Sequence, residues 1–219
     1  MKSILVIGMG SVGTMLARRL TALKNEVMIV DRNEEIIEEL APEFADAQIG
    51  DCTNPLVLKS LGINNFDVCF VTIGKNFQSS LEITSLLKEM GAKTVVSKAS
   101  SDIQVKFLLR NGADDVFYPE KEIAEKLAIR YNQENIFNFI ELSQDFSIFE
   151  IPIMPEWTGK TIVDIDVRKK YNLNILAIKE DDRLIPVPGG QYVFKDTDHI
   201  IVLGKPEDVF KVAKKTVIK

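Results

Sequence analysis

The chain is short of the residues on which most catalytic and metal chemistry depends. Its 219 residues include two cysteines, one histidine and one tryptophan. Cys52 and Cys69 stand alone and form no Cys-x-x-Cys, so neither a disulfide framework nor a zinc site is expected, and a reducing, cytoplasmic setting is. The one histidine, His199, lies between a turn and a strand in Asp196-Thr197-Asp198-His199-Ile200 and is expected to be structural. Trp157, after Pro155-Glu156, is expected to pack. No apolar run reaches the length of a membrane span, and no secretory signal is read before the first strand. Basic residues are outnumbered, 27 against 32 acids, for a formal charge of −5. That balance argues against a nucleic-acid surface, and no nucleic-acid partner is expected.

Glycine is scarce but concentrated where it counts. The apolar run Ile4-Leu5-Val6-Ile7 leads straight into Gly8-Met9-Gly10-Ser11-Val12-Gly13 and then into a helical pattern carrying Met15, Leu16, Leu20 and Leu23. In a G-x-G-x-x-G turn the first glycine permits the tight bend, the second lets backbone approach a phosphate, and the third lets helix pack on strand. The N–H groups that open the helix then face an anion. Asp31 closes the next apolar run, Val27-Met28-Ile29-Val30, where a carboxylate can accept both ribose hydroxyls. Strand, turn, helix and spaced acid together point to nucleotide binding.

Strand-like runs at 4–7, 27–30, 47–49, 68–73, 94–97 and 116–118 alternate with helical patterns at 12–23, 34–40, 55–61, 77–90 and 103–111. Gly91 and Gly112 fall where helices would end. The fold class expected is α/β, a doubly wound parallel (Rossmann) sheet followed by a smaller α+β domain. An amphipathic helix over 120–131 puts Ile123, Leu127 and Tyr131 on one stripe. The polar break at 132–135 places the boundary, giving domains 1–133 and 134–219. Beyond it come an apolar segment at 136–142, strands at 147–151, 175–178 and 200–203, and a helix at 206–214.

Carboxyl ends of parallel strands line the ligand crevice of such a sheet. Asp51, after Gly50, can accept from an adenine amino group or, with Thr53 and Asn54, compete to cap the next helix. Gly74, after Ile73, lets backbone approach a ligand, with Asn76 or Ser79 as the following cap. Lys98 ends the fifth run, placed to reach a phosphate or simply to be solvated. Glu120 opens the helix after Pro119, as a dipole partner or a cation ligand. No Tyr-x-x-x-Lys, nucleophile elbow, P-loop or second catalytic domain is present, and hydride transfer needs a proton donor beside the cofactor. The nucleotide is therefore read as a signal and not a reactant, and no enzymatic activity is expected.

These motifs resemble the RCK (regulator of K⁺ conductance) subunits of bacterial Ktr potassium transporters. The resemblance rests on Val6-Ile7-Gly8-x-Gly10-x-x-Gly13, Gly50-Asp51-x-Thr53, Leu61-Gly62-Ile63-x-Asn65-Phe66-Asp67, Ile73-Gly74-x-Asn76-x-Gln78, Gly112-Ala113-Asp114 and Tyr118-Pro119-Glu120-Lys121. Asp166-Val167-Arg168-x-Lys170-Tyr171 and Ile175-Leu176-Ala177-Ile178-Lys179 extend it into the second domain. It implies a regulatory protein with an RCK N-domain and C-domain, cytoplasmic and peripheral on the inner membrane face. Such proteins form homodimers and octameric rings that dock on a membrane potassium-translocating subunit. It implies ATP or ADP, with NAD as alternative, held by Gly8, Gly10, Ser11, Val12, Gly13, Asp31, Arg32, Asp51, Cys52, Ile73, Gly74 and Lys98. It implies a divalent or sodium cation at Glu120 near the phosphates. In the C-domain it implies cyclic di-AMP at Ile162, Val163, Asp166, Val167, Arg168, Asn174, Ile175 and Pro188. Ser11 departs from the family, which commonly carries arginine there; a hydroxyl supplies no charge to a terminal phosphate. Two alternatives follow: an NAD(H)-sensing regulator of the TrkA type, and a small NAD-dependent oxidoreductase.

Overall fold

The computed structural model describes residues 1–132, 135–143, 145–181 and 183–216. The chain divides into two compact units, Met1–Glu122 and Ile123–Lys219. The boundary expected between residues 133 and 134 falls on residues outside those described.

The first unit alternates strand and helix: β1 (Ser3–Ile7), α1 (Ser11–Ala22), β2 (Glu26–Asp31), α2 (Glu34–Leu40), β3 (Asp46–Ile49), α3 (Pro55–Leu61), β4 (Val68–Val71), α4 (Phe77–Glu89), β5 (Val95–Lys98), α5 (Asp102–Arg110) and β6 (Asp115–Phe117). Its six strands run parallel in the order β3-β2-β1-β4-β5-β6. Strand side chains alternate between faces, and β1 feeds both cores. Leu5 and Ile7 join Leu58, Val71, Ile83 and Leu87 on one side. Ile4 and Val6 join Ala17, Ile29 and Ile37 on the other. A sheet covered on both faces explains why the run reads as continuously apolar. The sheet reverses its winding between β1 and β4, which opens a crevice at their carboxyl ends.

Helix ends are set locally. Asn54, Asn76 and Ser101 cap α3, α4 and α5 by accepting from the backbone N–H of Leu56, Ser79 and Gln104. The competition at residues 51–54 therefore goes to Asn54, and the one at residues 76–79 to Asn76. One expectation needs correction: β4 stops at Val71, not at Ile73. The Thr72 hydroxyl lies 3.0 Å from the Ile7 carbonyl and 2.5 Å from that of Gly8. This turns the chain out of the sheet and frees residues 72–76 to wall the crevice.

Helix α6 (Pro119–Asn132) forms as expected, but its apolar stripe is not covered. Ile123, Leu127 and Tyr131 are 57%, 46% and 78% exposed. The second unit continues with β7 (Asn138–Glu141), β8 (Ser147–Pro152), α7 (Ile162–Ile165), α8 (Val167–Tyr171), β9 (Asn174–Glu180), β10 (Arg183–Pro186), β11 (His199–Gly204) and α9 (Pro206–Ala213). Its strands are antiparallel in the order β10-β9-β11-β8-β7. Phe149, Ile151, Trp157, Ile178, Phe194 and Ile200 centre its core. Trp157 is accordingly packing, and His199 sits against Glu150 and the ring of Phe137.

Candidate functional site

The turn after β1 leaves no room for a side chain at Gly8 or Gly13, whereas a Cβ at Gly10 would meet nothing within 4 Å. Gly8 has φ +96°, and a Cβ at Gly13 would stand 2.0 Å from the Gly8 carbonyl oxygen. The turn is tied to the end of β2: Asp31 Oδ2 accepts from the Met9 N–H at 2.6 Å and Oδ1 from the Asn33 N–H at 2.9 Å. Each carboxylate oxygen has further acceptor capacity. Asp31 can therefore hold the turn and still receive ribose hydroxyls.

Around this turn lies a crevice of about 340 Å³, and its walls include Gly8, Gly10, Asp31, Arg32, Asp51, Cys52, Ile73 and Gly74. Eight of the twelve first-domain positions singled out from sequence are thus brought together. Asp51 Oδ1 accepts from the Thr53 N–H and hydroxyl. Those bonds, with Arg32 beside it, hold its carboxyl below the usual range. Burial pushes the Cys52 thiol up to about 12, so it is a neutral apolar wall and not a nucleophile.

The other four stand apart from the walls. Gly13 packs beneath the turn, and Ser11 and Val12 begin α1. Lys98 is only 7% exposed and donates to Glu120 Oε1 at 2.6 Å. It is not a solvated lysine, and its bond holds the Glu120 carboxyl below its ordinary value. Among the described residues no group of three His, Cys, Asp or Glu could hold a metal ion. Glu120 alone, occupied by Lys98, does not fit a cation within one chain.

Sequence reasoning did not pick out Asn33, Ile36 and Lys75, which also line the crevice. Asn33 is at the N-cap position of α2 just after β2, Ile36 lies in the first turn of α2, and Lys75 lies in the loop between β4 and α4.

In the second unit all eight expected positions meet. Ile162, Val163, Asp166, Val167, Arg168, Asn174, Ile175 and Pro188 line a cavity of about 360 Å³, together with Lys169 and Leu173. Thr161 caps α7 through a reciprocal box with Asp164. Asp166 then takes left-handed backbone, φ +51°, which turns α7 into α8 and brings both helices to one wall.

Comparison with known proteins agrees with this architecture. A family model described as the TrkA-N domain matches residues 4–119, and one described as the TrkA-C domain matches residues 146–216. Ktr system potassium uptake protein C of Bacillus subtilis (strain 168) is 37% identical over 98% of this chain and 97% of its own length. The chain belongs to this TrkA-N/TrkA-C family of potassium uptake proteins. Among solved structures, the GsuK channel bound to NAD shares the fold at TM-score 0.68 and 17% identity, covering 100% of this chain and 40% of the channel. A GsuK structure bound to ADP aligns at TM-score 0.51 and 15% identity over 59% of this chain and 33% of its own. The chain spans well under half of those channel chains. Among the described residues no helix is long and apolar enough to cross a membrane.

Proposed function

We propose that this chain is the nucleotide-binding regulatory subunit of a membrane potassium transporter, and that it is not an enzyme. In this reading residues 1–133 bind ATP or ADP and residues 134–219 bind cyclic di-AMP. Homodimers assemble into an octameric ring that docks on the cytoplasmic face of the potassium-translocating subunit. The observation that carries it is the crevice at the winding reversal. A glycine turn, the Asp31 carboxylate that closes it, and Asp51 one strand further out face one space large enough for a nucleoside. The thiol that lines it, Cys52, is held neutral by burial and does not supply a nucleophile. A ligand there works by its differential affinity for two conformations of the assembly. The exposed apolar stripe of α6 supports a partner, such as a second copy. A cation on Glu120 would need oxygen donors from the phosphates and a second copy, and no step runs through it.

NAD is the second reading, favoured by a turn in which Ser11 brings no charge. Calorimetric titration of the full chain with ATP, ADP and NAD⁺ separates the two. Tighter binding of ATP or ADP is expected, and a clear preference for NAD⁺ would replace the first reading with the second. Failure of all three to bind would remove both. Native mass spectrometry of the same preparation tests the ring, with eight copies expected.

A further inference from the structure

We infer that Lys75 sets the ligand class of the nucleotide crevice, drawing the free terminal phosphates of an adenine nucleotide and disfavouring a nicotinamide dinucleotide. The inference rests on the proposed reading of this crevice and names which ligand it selects.

Strand order sets out a path for the ligand. Across the carboxyl edge of the sheet come Asp51 after β3, Asp31 ending β2, the glycine turn after β1, Ile73–Asn76 after β4, and Lys98 ending β5. Neighbouring strands stand roughly 4.8 Å apart. A nucleotide with its adenine toward Asp51 and its ribose on Asp31 carries its first phosphate to the turn. Anything beyond that phosphate passes over the end of β4. The two loops are in contact: a Cβ on Gly8 would lie 2.9 Å from Ile73 Cγ1. Lys75 lines the crevice at that end of the path.

Charge then singles it out. The turn Gly8-Met9-Gly10-Ser11-Val12-Gly13 holds no cation. The charged walls of the crevice are Asp31, Arg32, Asp51 and Lys75. Arg32 acts at the adenine end, where its charge helps hold the Asp51 carboxyl down. Lys98 sits beside Gly74, its Nζ 3.2 Å from where a Cβ would be, but its charge is matched by Glu120 at 2.6 Å. Lys75 is exposed, and among the described residues it makes no hydrogen bond or ion pair. It also stands one residue before Asn76, the cap of the 13-residue helix α4, whose N-terminus adds positive potential. The far end of the crevice thus presents an unmatched positive charge. A β- or γ-phosphate complements it by a charge-assisted contact. The second phosphate of NAD⁺ is a diester with a single charge and is followed by a nicotinamide riboside with a cationic ring, so NAD⁺ gains less there than the doubly charged terminal phosphate of ADP or ATP.

The test is calorimetric titration of the full-length protein with ATP, ADP, AMP and NAD⁺, for the parent and for Lys75→Gln and Lys75→Arg. Both changes are at an exposed loop position, and a thermal melt of each variant checks that it folds. Lys75→Gln should weaken ATP and ADP tenfold or more, and AMP and NAD⁺ less than threefold. Lys75→Arg should keep the ATP affinity within threefold. Equal loss for all four ligands, or no loss for ATP, would overturn the role of Lys75 while leaving the nucleotide reading intact. A parent protein that binds none of the four would overturn both.

Discussion

Asp31 closes the glycine turn and lines the crevice with one carboxylate, and that makes its substitution informative. Its charge closes the glycine turn on Met9 and faces the place where a ribose would lie. Asp31→Asn keeps the shape and loses the charge, so one of the two N–H contacts should weaken and ribose recognition with it. We expect ATP, ADP and NAD⁺ all to bind at least tenfold more weakly, because all three carry an adenosine ribose; unchanged calorimetric affinities would remove Asp31 from the site. Gly13 answers a different question. A methyl group 2.0 Å from the Gly8 carbonyl cannot be accommodated without moving backbone. Gly13→Ala should therefore cost about 3 kcal/mol of stability in urea unfolding, with or without ligand. Both residues were legible in the sequence, since their spacing after an apolar run carries a physical requirement. That Asp31 also bonds Met9 was not legible, nor was the part played by Lys75. A lysine in a loop belongs to no periodic pattern, and only folding shows which side of a crevice it faces.

At the scale of elements, what was legible follows length and burial. Every strand of the parallel sheet and every helix packed on it was found within a residue or two, because double burial writes long apolar runs into the sequence. What was missed is short or turned outward. Helices α7 and α8, of four and five residues, show too little periodicity to be seen. The signal for α7 was its capping pair, Thr161 and Asp164. Strand β10 pairs only with β9 at the sheet edge and reads as loop. The cap can be tested. Thr161→Ala should cost about 1 kcal/mol and weaken cyclic di-AMP, since Ile162 and Val163 ride on that turn; ADP affinity should not change. Equal loss for both ligands would point to general destabilisation.

The antiparallel sheet carries a second test, through acid. Glu150 on β8 accepts from Lys179 on β9 at 2.9 Å and lies 3.2 Å from His199 Nδ1 on β11. Burial alone would push its pKa up, but the bonds from Lys179 and His199 outweigh this and the net shift is downward. A carboxyl depressed in the folded state binds its proton more readily when unfolded. Its contribution is therefore complete above the ordinary glutamate value of 4.5 and is lost as pH falls below it toward the folded value. Urea midpoints should drop on acidification through that window, and Glu150→Gln should flatten the drop. A variant with the parent's pH profile would show that Glu150 is not the group responsible.

For the whole molecule the question is whether the two proposed ligands feel each other. Helix α6 runs unbroken through the division between Glu122 and Ile123. Its first turn carries Glu120, whose carboxylate holds Lys98 at the edge of the nucleotide sheet. A polyphosphate brought to the end of β4 would lie beside this ion pair, since Lys98 Nζ is 3.2 Å from where a Cβ on Gly74 would be, and would repel the Glu120 carboxylate at the start of that helix. Any change it makes downstream must act equally in reverse, because binding free energies are linked. We expect saturating ATP to change the affinity for cyclic di-AMP about fivefold or more, on the order of 1 kcal/mol, and saturating cyclic di-AMP to change ATP affinity by the same factor. Glu120→Gln, which takes the negative charge from Lys98 but keeps the helix start, should shrink both factors together. Two full titrations on the intact assembly decide it. Factors of one in both directions would mean that the domains sense their ligands independently, and that the sequence joins them by a helix that carries no signal.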